Sequence, residues 1–455
     1  MSMRSVAIVI TAAAIIFVPG HARAKIATPA EHAQVIVVGA GMAGMTGALL
    51  LAQKGVDVVL LEKEDAVGGK LYSPLLGGVA ANLGTQYFFP GIHPVVDAYI
   101  KSMPTQPLNA GGFIWKGKFE KMKGDLPAPG GMEEDINLAY EQMRIDYKLA
   151  GKGKEFFFDA EPRNREWDRL EKIDSREYLS KFPAHVYEFF NGETGIETGG
   201  DLRNLSAVVL VGWNGDENQG KFLVKGGNRA LLEKMKDDFK KAGGRVYLKA
   251  EVIKVFQDGA AVTAICADGR KFTSEYLIMA APAQVAKKIV TGLSAKKAEA
   301  LGAVAYSPMT ELGLHLKNFT RDSVLVMGES VNGIINQTGP MIGEPDQGTV
   351  VSITITNPET LKLGDQALVE RAAGVLKKVS PEFDPSKDIL AYSIKRWEKG
   401  VFKWSAGFGS KYQKALREPV GRIYFAGDYV GDPSLMGAAW AGSTAADKIL
   451  ASIKK

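Results

Sequence analysis

An α/β fold is predicted for this 455-residue chain by three observations. The stretch Val35-Ile-Val-Val-Gly39-Ala-Gly41-Met-Ala-Gly44 sets a G-x-G-x-x-G string between an apolar run and a helix-like stretch. A second apolar run, Val56-Asp-Val-Val-Leu-Leu, follows and ends on an acid, Glu62. Near the C-terminus, Ile423-Tyr-Phe-Ala-Gly427-Asp428 supplies another segment closed by a glycine and an acid. The first two observations together describe a βαβ dinucleotide unit in compressed form.

Each position has a chemical reason. Gly39 permits the tight turn out of the first strand, Gly41 lets the backbone approach a pyrophosphate, and Gly44 lets helix and strand pack closely. The helix N-terminus offers free N–H groups and a partial positive charge to phosphates. Glu62 can accept hydrogen bonds from both ribose hydroxyls, and its charge would repel a 2′-phosphate. An ordinary glycine-rich turn is the competing reading, and the flanking context weighs against it.

The next elements follow from punctuation and periodicity. Residues 91–219 are richer in charge and aromatics, with a helix expected over Glu133–Ala150 and another opening at the N-cap pair Asp174-Ser175. Lys225-Gly226-Gly227-Asn228 starts a helix that runs to about Ala242 and ends at Gly243-Gly244. Strands are expected over Arg245–Val255, Ala261–Ala267 and Lys271–Met279, separated by Asp258-Gly259 and Asp268-Gly269 turns. From about Leu301 to Ser393 the texture changes. Leu312, Leu314 and Leu316 fall on one strand face, as do Val351, Ile353 and Ile355, and a helix is expected over Gln366–Val379. The fold class is therefore α/β. A Rossmann-like nucleotide domain is assembled from three separated segments, 33–90, 220–300 and 394–455. An α+β substrate domain is inserted in two pieces, 91–219 and 301–393.

Composition narrows the function. With 46% hydrophobic residues the chain can bury a large core. The net charge of +5 is small and dispersed, so no nucleic-acid partner is expected. The single cysteine, Cys266, excludes an internal disulfide, reads as a buried structural thiol, and leaves no Cys/His metal cluster. Residues 1–24 read as a secretory signal: Arg4, an apolar stretch from Val6 to Val18, then Ala22-Arg23-Ala24 as a small-x-small cleavage site. The mature chain is expected to start near Lys25, without a membrane span, in the periplasm or outside the cell. An uncleaved membrane anchor is the alternative. No twin-arginine pair is present, so a nucleotide cofactor would be loaded outside the cytoplasm.

At this point the chain resembles the flavin-containing amine oxidase superfamily, which includes amine oxidases, protoporphyrinogen oxidase and carotenoid desaturases. The resemblance runs over nearly all of residues 33–452. Gly68-Gly69-Lys70 is similar to the family's Gly-Gly-Arg turn, with Lys in place of Arg. Asn82-Leu83-Gly84-Thr85-Gln86-Tyr87 resembles the loop that passes the flavin ring, where the family often has Asp at the position of Asn82. Val252 matches a residue contacting adenine. Gly427-Asp428 matches the motif whose acid binds the ribityl chain, and Met436-Gly437-Ala438 opens a helix aimed at the flavin's pyrimidine edge. The resemblance therefore implies FAD, held by Gly39, Gly41, Gly44, Glu62, Gly69, Lys70, Gly84, Thr85, Val252, Gly427, Asp428 and Met436. Val401 stands where some members attach FAD through Cys, which implies non-covalent binding.

Two departures bear on substrate. Many amine oxidases carry a Lys at flavin N5, early in the strand corresponding to Tyr306–Leu316, and this run has none. The family's pair of substrate-flanking rings corresponds to Phe402 and Ser434, so half the cage remains. Gln86, Tyr87, Phe402, Trp404 and Ser434 are the substrate-pocket candidates. No catalytic acid–base residue is nominated. His93 and His185 lack recognisable partners, and His315 shares a strand face with Glu311. Trp397 serves as pocket wall or core equally well, and Trp440 reads as core. The basic cluster Lys116, Lys118, Lys121 and Lys123 reads as a solvated loop.

The implied activity is FAD-dependent hydride removal from a small-molecule substrate C–H bond, with electrons passed to oxygen or another acceptor. The alternatives are a desaturase or isomerase of a polyene, terpenoid or porphyrinogen-like substrate, and a non-catalytic flavin-binding partner.

Overall fold

The computed structural model describes residues 30–453 apart from 90, 92, 109, 116–117, 122–130, 152–162, 200, 216–219, 318, 320–322, 328–336 and 342–347. The expected signal segment, Lys116 and Lys123 lie outside the described residues.

Five strands run parallel in the first sheet, in the order Arg245–Tyr247, Val58–Leu61, Glu31–Val38, Lys271–Met279 and Ile423–Phe425. Val35–Val37 and Val58–Leu61 are buried almost completely, as strands covered on both faces must be. The N-terminal half of Lys271–Met279 also pairs antiparallel with Ala261–Cys266, which pairs in turn with Val252–Asp258. The glycine and acid segments from opposite ends of the chain thus share one sheet. Cys266 is buried there, which pushes its thiol up to about 11.

The expected strand Arg245–Val255 is two strands. Lys249 takes a left-handed φ of 51°, and the amides of Lys249 and Ala250 donate to the carbonyls of Glu64 and Glu62. The chain leaves the parallel sheet at that point and re-enters as the antiparallel hairpin. The helix after the Gly-Gly turn spans Ala230–Lys241, and the helix Glu133–Ala150 has the expected bounds. Asp174 caps the helix Ser175–Leu179 by accepting from the Glu177 amide.

Three helices, Met42–Gln53, Ala230–Lys241 and Leu435–Ile453, pack together, with the first in contact with both others. Glycine makes the closest of these contacts possible. A Cβ at Gly442 would run into the carbonyl oxygen of Ala43, and one at Gly47 would lie 3.0 Å from the carbonyl oxygen of Gly442. Gly442→Val is therefore expected to force the two helices apart and cost about 1–3 kcal/mol, read as a lower midpoint in urea. An unchanged midpoint would mean the helices have slack there.

The second sheet has the order Ile389–Lys403, Ala305–Leu316, Thr349–Ile355, Gln337–Met341, Ser323–Met327, Ala110–Trp115 and Lys118–Lys121. Leu312, Leu314, Leu316, Val351, Ile353 and Ile355 all face the helix Asp365–Val379 and form a second core with it. The opposite face carries Glu311 opposite Thr354. Strand alternation thus turns a polar stripe toward the first sheet. The strand Ile389–Lys403 lies wholly in the second sheet, so the expected boundary at 394 falls inside it. Among the described residues, no helix is long and apolar enough to cross a membrane.

Candidate active site

One cavity of about 1750 Å³ is lined from both sheets and from the helices Glu133–Ala150, Ala184–Glu197 and Ala207–Asn214. Its floor is the glycine turn. Gly39 has a φ of 100°, and a Cβ there would lie 2.9 Å from the carbonyl oxygen of Ala280. A Cβ at Gly44 would collide with the carbonyl oxygen of Gly39. Gly41 differs: the nearest atom to a Cβ would be Gly69 Cα at 3.8 Å. Protein packing does not require glycine at 41, and the space that its missing side chain leaves belongs to the cavity.

Glu62 stands at the cavity edge, only 7% exposed. Its carboxylate accepts from the amides of Ala40 at 2.7 Å and Glu64 at 3.0 Å, which fixes its orientation beside the turn. Val252, Gly69, Lys70, Gly84, Thr85, Gly427, Asp428 and Met436 line the same cavity. Lys70 Nζ lies 2.7 Å from Asp428 Oδ2, so the two distant motifs meet directly. Gly84 packs its Cα onto the carbonyl of Lys70, whose oxygen also accepts from the Thr85 amide at 2.8 Å. These glycine spaces, the oriented acid and the cation suit a dinucleotide with a pyrophosphate and a ribose.

Asn82 is buried behind the cavity wall. Its Oδ1 accepts from Ser73 Oγ at 2.6 Å and the Asn228 amide at 2.9 Å, and Asn228 in turn donates to the Thr85 carbonyl. Asn82 therefore pins the loop that carries Thr85 and Gln86. Gln86 Nε2 donates to Glu311 Oε2 at 2.7 Å, and Thr354 Oγ1 donates to the same carboxyl at 2.9 and 3.1 Å. Tyr87 accepts from Lys221 Nζ at 2.9 Å. Burial pushes the Glu311 carboxyl well above its ordinary value, and the two hydrogen bonds offset part of that.

Structure corrects several expectations. Phe402 and Trp404 do not line the cavity. They are 0% and 1% exposed and pack with Phe408 at ring separations of 4.9 and 6.2 Å, inside the main core. Ser434, the other cage position, does line the cavity, as do Gln86 and Tyr87. On the strand side the lining rings are instead Tyr72 and Trp397, edge to face at 6.2 Å, with Tyr306 nearby on the adjacent strand. Trp397 donates to the Leu83 carbonyl at 2.8 Å, and Lys395 Nζ sits over both rings. The sequence signal was the i, i+2 spacing of Lys395 and Trp397 on one strand face. Trp440 reaches the cavity and packs edge-on to His93 at 4.4 Å. His93 caps the helix Pro94–Lys101, and His185 pairs with Asp135 at 2.8 Å. His315 lies against Gly77, away from the cavity. Sequence reading also missed the helical wall, where Arg144, Glu193, Glu197 and Trp213 line the cavity without any local motif.

The raised Glu311 carboxyl has a stability consequence. The unfolded chain gives up this proton above its ordinary 4.5, whereas the folded chain keeps it. The folded state therefore binds more protons there, and stability falls as pH rises from about 4.5 toward the folded value. Glu311→Gln removes that penalty. Its melting temperature is expected to exceed the parent's at about pH 7 and to match it at about pH 4. A margin independent of pH would mean Glu311 ionises freely in the fold.

The family described as flavin containing amine oxidoreductase matches residues 42–450. The L-amino-acid oxidase of Echis ocellatus is 25% identical, covering 88% of this chain and 84% of that protein. The L-amino acid oxidase of Cerastes cerastes is 26% identical, covering 87% and 82%. Among solved structures, a redesigned putrescine oxidase double mutant superposes with a TM-score of 0.78 at 16% identity, covering 93% of this chain and all of that one. Cyclohexylamine oxidase from Brevibacterium oxydans IH-35A gives 0.77 at 15% identity with the same coverage. The family match takes in Glu62, the Lys70–Asp428 junction and most of the last helix, and the chain belongs to the flavin-containing amine oxidoreductases, FAD-dependent oxidoreductases.

Proposed function

We propose that this chain is an exported amine oxidase that takes a hydride from the carbon beside a substrate nitrogen and passes the electrons to oxygen or another acceptor. The observation that carries this reading is the meeting of Lys70 and Asp428 over a glycine-floored cavity whose far wall is polar. Gly39, Gly41 and the N-terminus of Met42–Gln53 would hold the pyrophosphate, with Gly44 keeping that helix close. Glu62 would hold the ribose, and Val252 the adenine. Gly69, Lys70, Gly427 and Asp428 would hold the ribityl and phosphate region, Gly84 and Thr85 the ring, and Met436 its pyrimidine edge. FAD, when bound, supplies the two-electron acceptor.

The chain's own residues bind, orient and exclude water. Tyr72 and Trp397 wall the substrate space, and Gln86 and Glu311 offer polar contacts on its second side. A cavity wall carrying Glu311, Glu193, Glu197 and Arg144 suits a polar, charged substrate better than a polyene. The first sheet and its helices form the FAD-binding domain. The substrate domain includes the strand that ends at Lys403. Export rests on the apolar run and Ala22-Arg23-Ala24.

Purified protein is expected to be yellow, to release FAD on denaturation because Val401 offers no thiol for attachment, and to form peroxide when an amine is added. Flavin that stays with the precipitate contradicts non-covalent binding. N-terminal sequencing from the native host is expected to start near Lys25, and an intact Met1 in a membrane fraction contradicts cleavage.

A further inference from the structure

We infer that Glu311 is the group that recognises the ammonium head of a cationic substrate, with Gln86 and Thr354 aiming its carboxyl into the cavity. The inference rests on the reading of this cavity as an amine-oxidising site and names the recognition element within it.

Glu311 is 1% exposed yet lines the cavity. Its two donors, Gln86 and Thr354, are neutral. Among the described residues, no cation comes within ion-pair distance of it. The charged neighbours are accounted for. Lys395, opposite on the adjacent strand, turns away and lies 5.0 and 4.7 Å from the ring centres of Tyr72 and Trp397. Arg396 points to the other sheet face and pairs with Asp365 at 2.6 Å. Lys70 pairs with Asp428. Thr354 and the loop 82–87 bring no charge. A buried carboxylate without a cation is strongly disfavoured, so the empty site holds the neutral acid, and a carboxylate forms there only when a cation enters the cavity.

Tyr72 and Trp397 do not serve this purpose. A cation binds over ring faces, and the chain's own Lys395 already sits over Tyr72 and Trp397. Of the acids on the helical wall, Glu197 already pairs with Lys221 at 3.2 Å, whereas Glu311 has no cation among the described residues and offers an ammonium the attachment point that those two rings do not. The hydrogen bond from Gln86 also places it beside Thr85, so the recognised nitrogen is held next to the loop assigned to the flavin ring.

The proton balance gives a direct signature. In the empty cavity burial keeps the acid protonated. A bound ammonium stabilises the carboxylate, the ammonium keeps all its protons, and the carboxyl proton leaves to solvent. One proton is released per cation bound. Affinity should therefore rise toward about tenfold per pH unit while the acid is protonated in the empty site.

The test uses the FAD-loaded enzyme and 2-phenylpropan-2-amine, which has no hydrogen on the carbon bearing nitrogen and so binds without being oxidised. Its neutral counterpart is 2-phenylpropan-2-ol. Binding is read by the visible flavin spectrum and by calorimetry in two buffers of different ionisation enthalpy. The parent is expected to bind the cation at least about tenfold more tightly than the alcohol and to release one proton. Glu311→Gln is expected to keep the flavin, lose that preference and release no proton. Parental cation preference with proton release in the variant overturns the inference. So does a parent that binds cation and alcohol alike or releases no proton, a result that stands even where the variant fails to fold. The two readings fail separately. Amines that bleach the flavin without proton release on binding the probe leave amine oxidation standing and remove Glu311.

Discussion

Replacing Trp404 with alanine is expected to lower the stability of the fold by about 3–5 kcal/mol while leaving the cavity wall intact. The ring is 1% exposed and lies against Phe402 and Phe408, each at 6.2 Å. A Cβ at Gly409 would come within 2.7 Å of it, so the ring fills the space that glycine leaves. The backbone of the same residue accepts from the Ser206 amide at 2.7 Å, tying the end of the long strand to the helix Ala207–Asn214. Truncation opens a large hole where several elements meet. Urea unfolding measures the loss. A variant of parental stability that turns over slowly would return Trp404 to the substrate pocket.

Glu62→Ala is expected to weaken FAD binding by roughly a hundredfold or more, since charge-assisted hydrogen bonds contribute roughly 1.5–3 kcal/mol each and two ribose hydroxyls are at stake. The amides of Ala40 and Glu64 hold the carboxylate in place before any ligand arrives. The loss is therefore one of preorganised binding rather than of fold. Titration of apo-protein with FAD reads it directly. Unchanged affinity would show that another group holds the ribose.

The glycine turn and the acid beside it are legible in the sequence because their determinants are local. A tight turn, a close helix approach and an acid at a strand end each leave a mark within a few residues, and Gly39, Gly44 and Glu62 sit where those marks point. The helix Glu133–Ala150 is legible for the same reason, from its acidic first turn to Gly151. The cavity wall around Glu311 is not, because its residues converge from separate elements. Glu311 meets Gln86 only through the pairing of Ala305–Leu316 with its neighbours. Phe402 is out of phase with the cavity face, because Lys395, Trp397 and Val401 line it and alternation turns Phe402 to the opposite side of the strand. The strand Ile389–Lys403 changes register between its partners Ser307 and Met309, with Gly400 packed on Met309. The bulge adds an even number of residues, so Trp397 and Val401 still share the face that carries Lys395, opposite Met309 and Ser307, and Phe402 stays on the core side. Lys395 left no local mark of its place either, and its Nζ lies over the rings of Tyr72 and Trp397.

The most direct measurement is anaerobic titration of the purified, FAD-loaded protein with a panel of amines, amino acids and lipophilic polyenes, following the flavin absorbance. Bleaching by a cationic amine, with the corresponding alcohols and the polyenes inert, is the expected result. Bleaching by a polyene alone, or by no member of the panel, would contradict assignment of the chain as an amine oxidase.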